Sequence, residues 1–245
     1  MDTRPSGRLQ EHLDEQCGIL TTRQLYGLGE NRESIRHAVE TGQWLRVFRG
    51  VFAVTNGPLT REMQLSAALL YAGPRALLSH DTAAEAWGIS RPTEGPVHVT
   101  VPYGCSAISQ PPTLRHADRR FTATAHEVIH PGVEVHRSRA MAHIGAGTNP
   151  LRTGKPDTVL DLAVAQPAAR EAMICMVSAM ASGAVSVDLM RRKLELRRPR
   201  RYRRALFDTV VLLGEGVHSV LEHRYVLDVE QAHGLPTATR QAPHH

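Results

Sequence analysis

Cysteine is scarce in this chain. Cys17, Cys105 and Cys175 are odd in number, far apart, and form no C-x-x-C pair. That spacing argues against a disulfide framework and a thiolate zinc site, and it fits a reducing cytoplasm. Long apolar runs are lacking too. The run from Ala172 to Val187 contains Ser and Gly and falls short of the roughly twenty residues that a membrane span needs, so a buried helix and no membrane partner are expected. The opening Met1-Asp2-Thr3-Arg4-Pro5 is polar, and no secretory signal is expected there. Neither a G-x-x-x-x-G-K-[ST] loop, a G-x-G-x-x-G turn nor a G-x-S-x-G elbow occurs, which leaves nucleotide-binding and serine-hydrolase readings without a foothold. No cofactor is expected. Aromatics make up only 4% of a composition that is otherwise that of a soluble globular protein.

Local order is richest between Gly18 and Val54. Thr21 or Thr22 can cap a short apolar-periodic run through Leu25 that Gly27 and Gly29 end, giving a first helix. Asn31 then caps a second, in which Ile35, Ala38 and Val39 form the buried stripe and Gly42 marks the stop. Its other face carries Arg32, Glu33, Arg36, His37 and Glu40, with Arg32 and Arg36 one turn apart. Trp44 to Val47 and Val51 to Val54 are β-rich runs around Phe48-Arg49-Gly50, the pattern of a two-stranded wing with Gly50 near its tip. The whole reads as a winged helix-turn-helix over residues 1–57. A helix reads a major groove only through donors on its exposed face, while phosphate contacts set its register. Arg32, Arg36 and His37 are therefore expected to meet base edges, and Arg23, Arg46 and Arg49 to hold phosphates of double-stranded DNA. The alternative is a helical hairpin and a β-hairpin of an ordinary domain, since residues 1–57 hold seven basic and seven acidic residues.

The net charge of +5 has a separate source. Residues 191–204 hold nine Lys/Arg and one Glu, a net of +8, so the rest of the chain carries −3. Such a run either neutralises nucleic-acid phosphates by counterion release or forms a solvated helix face, and Pro199 prevents it from being one helix.

Pro58, after Asn56-Gly57, marks a boundary. Beyond it, Arg61 to Tyr71 reads as a helix, Leu77-Leu78 as a short strand, and His80 to Gly88 as a helix capped by Ser79 or Asp81. Val97 to Val101 and Val133 to His136 alternate as strands, and Pro156 to Ala163 is helical. The expected fold class is α+β. A winged helix (1–57) leads to a small mixed α/β middle domain (58–166) and a helical C-terminal region (167–245).

One motif competes. His126-Glu127-Val128-Ile129-His130 matches H-E-x-x-H, with His136 where a third ligand of the extended pattern falls, which would make a zinc hydrolase with Glu127 as general base. The chemistry needs two histidines one helical turn apart. Pro131 stops helix propagation, the β-branched neighbours favour a strand, and the glycine of the extended pattern is displaced from position 133 to Gly132. No metal site and no enzymatic activity are expected.

Together, Gly18 to Leu25, Ile35, Val39, and Gly42 through Trp44 to Phe52 resemble the N-terminal winged helix of the AbiEi-like antitoxins of type IV toxin–antitoxin systems. Leu78 to Ala84 with Trp87-Gly88, Val135 to Ser138, and Asp157 to Ala163 resemble a middle domain found with it. The resemblance implies a transcriptional regulator repressing its own operon beside a toxin gene, without implying contact with the toxin protein, and it assigns His136 to a strand. Ser219 to Glu222, Gly234 to Pro236 and Gln241 resemble the start of a very-short-patch-repair-like endonuclease domain, with Glu222 on its first helix. The sequence ends at Pro243-His244-His245, before the further carboxylates such a site needs for Mg²⁺, so nuclease activity is not expected. Oligomeric state is not legible.

Overall fold

A computed structural model describes residues 15–115, 127–145, 147–215 and 225–236. It is mixed α and β with small sheets, the expected α+β class. Contacts separate two units, Met1–Leu78 with Thr93–Arg152, and Ser79–Pro92 with Thr153–His245.

The first unit begins with β1 (Ile19–Thr21) and runs directly into helix α1 (Thr22–Gly27). Thr21 caps α1 with a reciprocal box: its hydroxyl accepts the Gln24 amide (3.3 Å), and the Thr21 amide donates to Gln24 Oε1 (2.9 Å). Helix α2 (Arg32–Glu40) starts on Asn31, whose Oδ1 accepts the amides of Glu33 and Ser34, each at 2.9 Å. Both caps satisfy amides that a helix start otherwise leaves bare. Strands β2 (Leu45–Phe48) and β3 (Val51–Ala53) form the wing, and β1 adds to its other side in the order β1-β3-β2. The wing turns at Arg49-Gly50, where Gly50 has φ +76° and its carbonyl accepts the Thr22 amide at 2.9 Å. That bond ties the wing tip to the first residue of α1. Leu20, Leu25, Ile35 and Phe52 close a small core beneath the two helices.

Helix α3 (Arg61–Ala72) follows, capped by the Thr60 hydroxyl. Strand β4 (Leu77–Leu78) comes next, and after α4 (His80–Ala86) the chain returns with β5 (Val97–Pro102). Then come β6 (Thr113–Arg115), β7 (Glu127–His130), β8 (Val133–Ser138) and the short helix α5 (Met141–Ile144). β5 lies between β4, antiparallel to it, and β8, parallel to it, while β6 pairs with β7. One apolar core runs from Ile19, Val47 and Val51 through Ala67 and Ala68 to Val97, Val99 and Val135. Hydrophobic packing is thus continuous across residue 57, and α3 supplies small side chains that let both sheets approach it.

Gly132 is the tightest point of this unit. It has φ +96°, and a Cβ there would lie 2.6 Å from the Gln110 carbonyl oxygen and 3.1 Å from backbone atoms of Pro111 and Pro112. Immediately beyond, Val133 and Gln110 exchange two backbone hydrogen bonds of 2.9 and 2.8 Å. Gly132→Ala adds strain at positive φ to overpacking against backbone that no rotamer change relieves, an expected loss of about 2–5 kcal/mol. Urea unfolding of the variant measures it; a loss below about 1 kcal/mol would mean that this turn has room to move.

The second unit is helical. Helices α4, α6 (Lys155–Ala165), α7 (Ala169–Ala181), α8 (Val187–Arg197) and α9 (Arg203–Gly214) enclose Leu160, Met176, Val177, Met190, Leu194 and Leu206. The uncharged run Ala172 to Val187 is only in part the buried helix expected: Ala172 to Ala181 lie on α7, the chain turns at exposed Ser182-Gly183, and Val187 begins α8. Among the described residues no helix is long and apolar enough to cross a membrane. A single π-helical turn spans Val226–Gln231. Ser79 stands at the N-cap position of α4 but makes no side-chain cap bond, its hydroxyl instead meeting His80 Nδ1 at 3.0 Å. The capping expectation is corrected: Ser79 holds the N-cap position without a cap bond, and Asp81 lies inside the first turn rather than at the cap.

This unit also holds a buried ion cluster. Asp157 and Asp161, one turn apart on α6, face Lys193 and Arg197, one turn apart on α8. Lys193 Nζ lies 2.7 Å from Asp157 Oδ2, and Arg197 Nη1 lies 2.8 Å from Asp161 Oδ1. Burial raises both carboxyls above the usual range, with Lys193 and Arg197 pulling the other way.

Candidate nucleic-acid interface

Of the α2 stripe expected to be buried, Ile35 and Ala38 are buried and Val39 is partly buried, while the opposite face is exposed. Ile35 and Ala38 are in the core while Arg32, Arg36, His37 and Glu40 are exposed. Between α1, α2 and the wing lies a groove of about 490 Å³ lined by Tyr26, Arg32, Arg36, Arg46, Arg49 and Phe52 among others. No Asp or Glu lines it. Four arginines from two helical and two wing positions line it, Arg32 and Arg36 one turn apart on α2 and Arg46 and Arg49 exposed on the wing.

These arginines differ in how they are held. The Arg46 guanidinium sits 5.6 Å from the centre of the Phe52 ring, which orders it at the groove wall. Arg36 meets Glu40 on its own helix at 3.7 Å, both about two-thirds exposed, a loose pair of little energetic weight. Arg32 and Arg49 have no carboxylate partner among the described residues. Arg23 and His37 are exposed but lie outside the groove lining, Arg23 at the start of α1 and His37 a further 100° around α2 from Arg36. Sequence reasoning missed Tyr26, half-exposed on α1, and Phe52. Tyr26 was visible as an aromatic on the side of α1 away from Leu25.

The competing motif falls elsewhere. Glu127 to His130 form strand β7 rather than a helix, and His126 lies outside the described residues. His130 is fully buried: its Nε2 donates to the Gln64 carbonyl (2.9 Å), its Nδ1 accepts the Gly132 amide (3.0 Å), and its ring packs edge-on against Phe48. Both nitrogens are occupied by backbone, so His130 is a core histidine in its neutral form. His136 is on strand β8, as the resemblance implied, with its Nε2 3.0 Å from His98 Nδ1. All three cysteines are free. Glu222 and Gln241 of the endonuclease resemblance lie outside the described residues.

Burial lowers the His130 pKa to about 4, the Gln64 bond opposing and Arg61 adding slightly. The folded state therefore binds fewer protons than the unfolded chain between pH 6.5 and 4. Stability is full above about pH 6.5 and drops as pH falls toward 4, by about 3 kcal/mol in all. Denaturant titrations across that range measure the drop, and His130→Gln should flatten it; an unchanged slope in the variant would assign the acid sensitivity to other groups.

The basic run is partly committed to the interior. Lys193 and Arg197 belong to the ion cluster, and Arg201 donates to the carbonyls of Val164 and Gln166, closing the C-terminus of α6. Arg191, Arg192, Arg198, Arg200, Arg203 and Arg204 are exposed, Arg204 lying 3.9 Å from Asp208.

Residues 8–55 match the family model described as transcriptional regulator, AbiEi antitoxin. Over those residues the chain is similar to the AbiEi antitoxin transcriptional regulators. The AbiEi match spans β1 through β3 and therefore contains every arginine of the groove. No curated protein matches the chain.

Proposed function

We propose that this protein is a sequence-specific repressor of its own toxin–antitoxin operon, acting by binding double-stranded DNA rather than by catalysis. The observation that carries this reading is the acid-free groove in which Arg32, Arg36, Arg46 and Arg49 converge within the AbiEi domain. Helix α2 enters the major groove, Arg32 and Arg36 donating to base edges with His37 beside them. Arg46 and Arg49 of the wing hold phosphates, and Arg23 at the start of α1 adds a further phosphate contact. Base contacts come from residues 1–57, within the first unit of the cytoplasmic regulator. The toxin enters as the neighbouring gene product, with no contact required. The test is a reporter driven by the DNA upstream of this gene. Wild type should repress it and the Arg32→Ala/Arg36→Ala variant should release it; equal expression with wild type, the variant and no protein refutes own-operon repression.

A further inference from the structure

A second, larger groove of about 780 Å³ has Arg49 in its lining, as the first does. Its other cation is Arg75, exposed in the turn after α3 and outside the 8–55 family match. As in the first groove, no Asp or Glu contributes to the lining. Arg75 and Arg49 have no carboxylate partner among the described residues. The wall is fixed rather than soft. Tyr71 donates from its hydroxyl to the Ile108 carbonyl (2.9 Å), Gln110 donates to the Tyr71 hydroxyl (2.8 Å), and the Cys105 thiol reaches the Ala72 carbonyl (3.6 Å). Turn, loop and helix end are thereby locked around the opening.

We propose that this second groove takes the sugar–phosphate backbone of the same duplex, with Arg75 as a phosphate contact beyond the AbiEi domain. The inference rests on the DNA-binding reading above. Arg49 lines both grooves, and a chain of phosphates is a partner whose repeating negative charge matches cations presented by both. A groove with hydrogen-bonded walls and two arginines supplies position rather than base reading, so its contribution is independent of sequence.

The experiment compares wild type, Arg75→Ala and Arg36→Ala on the upstream duplex and on a random duplex of equal length, between 50 and 200 mM salt. Loss of one phosphate contact removes about 0.9 from the salt slope, so wild-type affinity should fall about 3.5-fold more across that range than the affinity of Arg75→Ala. Arg75→Ala should weaken both duplexes alike and keep the specificity ratio, while Arg36→Ala should lose the ratio. A wild-type slope and affinity for Arg75→Ala, with Arg36→Ala impaired, overturns this inference and leaves the AbiEi-domain interface standing. Failure of wild type to bind either duplex overturns both. Equal melting temperatures of wild type and Arg75→Ala exclude a folding artefact, since Arg75 is exposed.

Discussion

The double variant Arg32→Ala/Arg36→Ala is expected to lose roughly 30- to 10⁴-fold in affinity for its operator while keeping most of its weaker grip on random duplex. The range follows from about 1–3 kcal/mol of discrimination for each lost base contact. Both side chains are exposed on α2, and among the described residues the ion-pair partner of either is Glu40, loosely held by Arg36. Their removal should change unfolding free energy by no more than about 0.5 kcal/mol. Arg46 and Arg49 remain to hold phosphates, which is why sequence-independent binding persists. Fluorescence anisotropy on matched and scrambled duplexes separates the two effects. Equal losses on both duplexes would move Arg32 and Arg36 from base reading to the phosphate backbone.

The largest expected effect on stability lies far from that groove in sequence. Arg197→Ala should cost the second unit about 3–5 kcal/mol, because it strands a desolvated carboxylate. Asp161 is 9% exposed at its side chain, and among the described residues its close cation is Arg197. Asp157, at 1%, keeps Lys193 at 2.7 Å. Burial already raises the Asp161 pKa, and losing the guanidinium raises it further. A carboxyl whose folded pKa lies above its unfolded value favours the folded state at acid pH, and that contribution is lost as pH rises through the folded pKa. The deficit of Arg197→Ala relative to wild type should therefore shrink on acidification. Replacing both partners, as in Asp161→Leu/Arg197→Met, should recover most of the loss, since an apolar pair of similar volume avoids the desolvation altogether. Denaturant unfolding at two pH values decides this, and a loss below about 1 kcal/mol in the single variant would show that water reaches Asp161.

These two sites mark where the sequence was and was not readable. Around the groove, function follows from local chemistry. Thr21 and Asn31 announce helix starts because their side chains satisfy bare amides, and Gly50 announces the wing turn because the backbone there has φ +76°. With the helix start fixed, the 3.6-residue period puts Arg32 and Arg36 on the free face without further information. Tyr26 and Phe52 escaped because the groove wall is made by elements meeting in space, which periodicity along one element does not reveal.

Non-local pairing was harder still. Strand β6 is three residues long, pairs with β7 through a register shift, and carries little alternation, so Thr113 to Arg115 gave no strand signal. Helical periodicity showed that α4 and α6 bury a face, but not that they bury it among the C-terminal helices. The basic run shows the same limit in electrostatic form. A count of charges between 191 and 204 cannot distinguish Lys193 and Arg197, which neutralise buried aspartates, from Arg191 and Arg192, which face water. His130 reversed the problem. Its motif was conspicuous, yet strand geometry and two backbone partners leave its ring no lone pair to offer a metal.

The most direct test of the DNA-binding account is a gel-shift titration of the full chain on the duplex upstream of its own gene against a random duplex, at two salt concentrations. The account expects operator binding tighter than random binding at both, with affinity for each falling as salt rises and the ratio between them largely preserved. Operator binding no tighter than random binding at either salt concentration would contradict it.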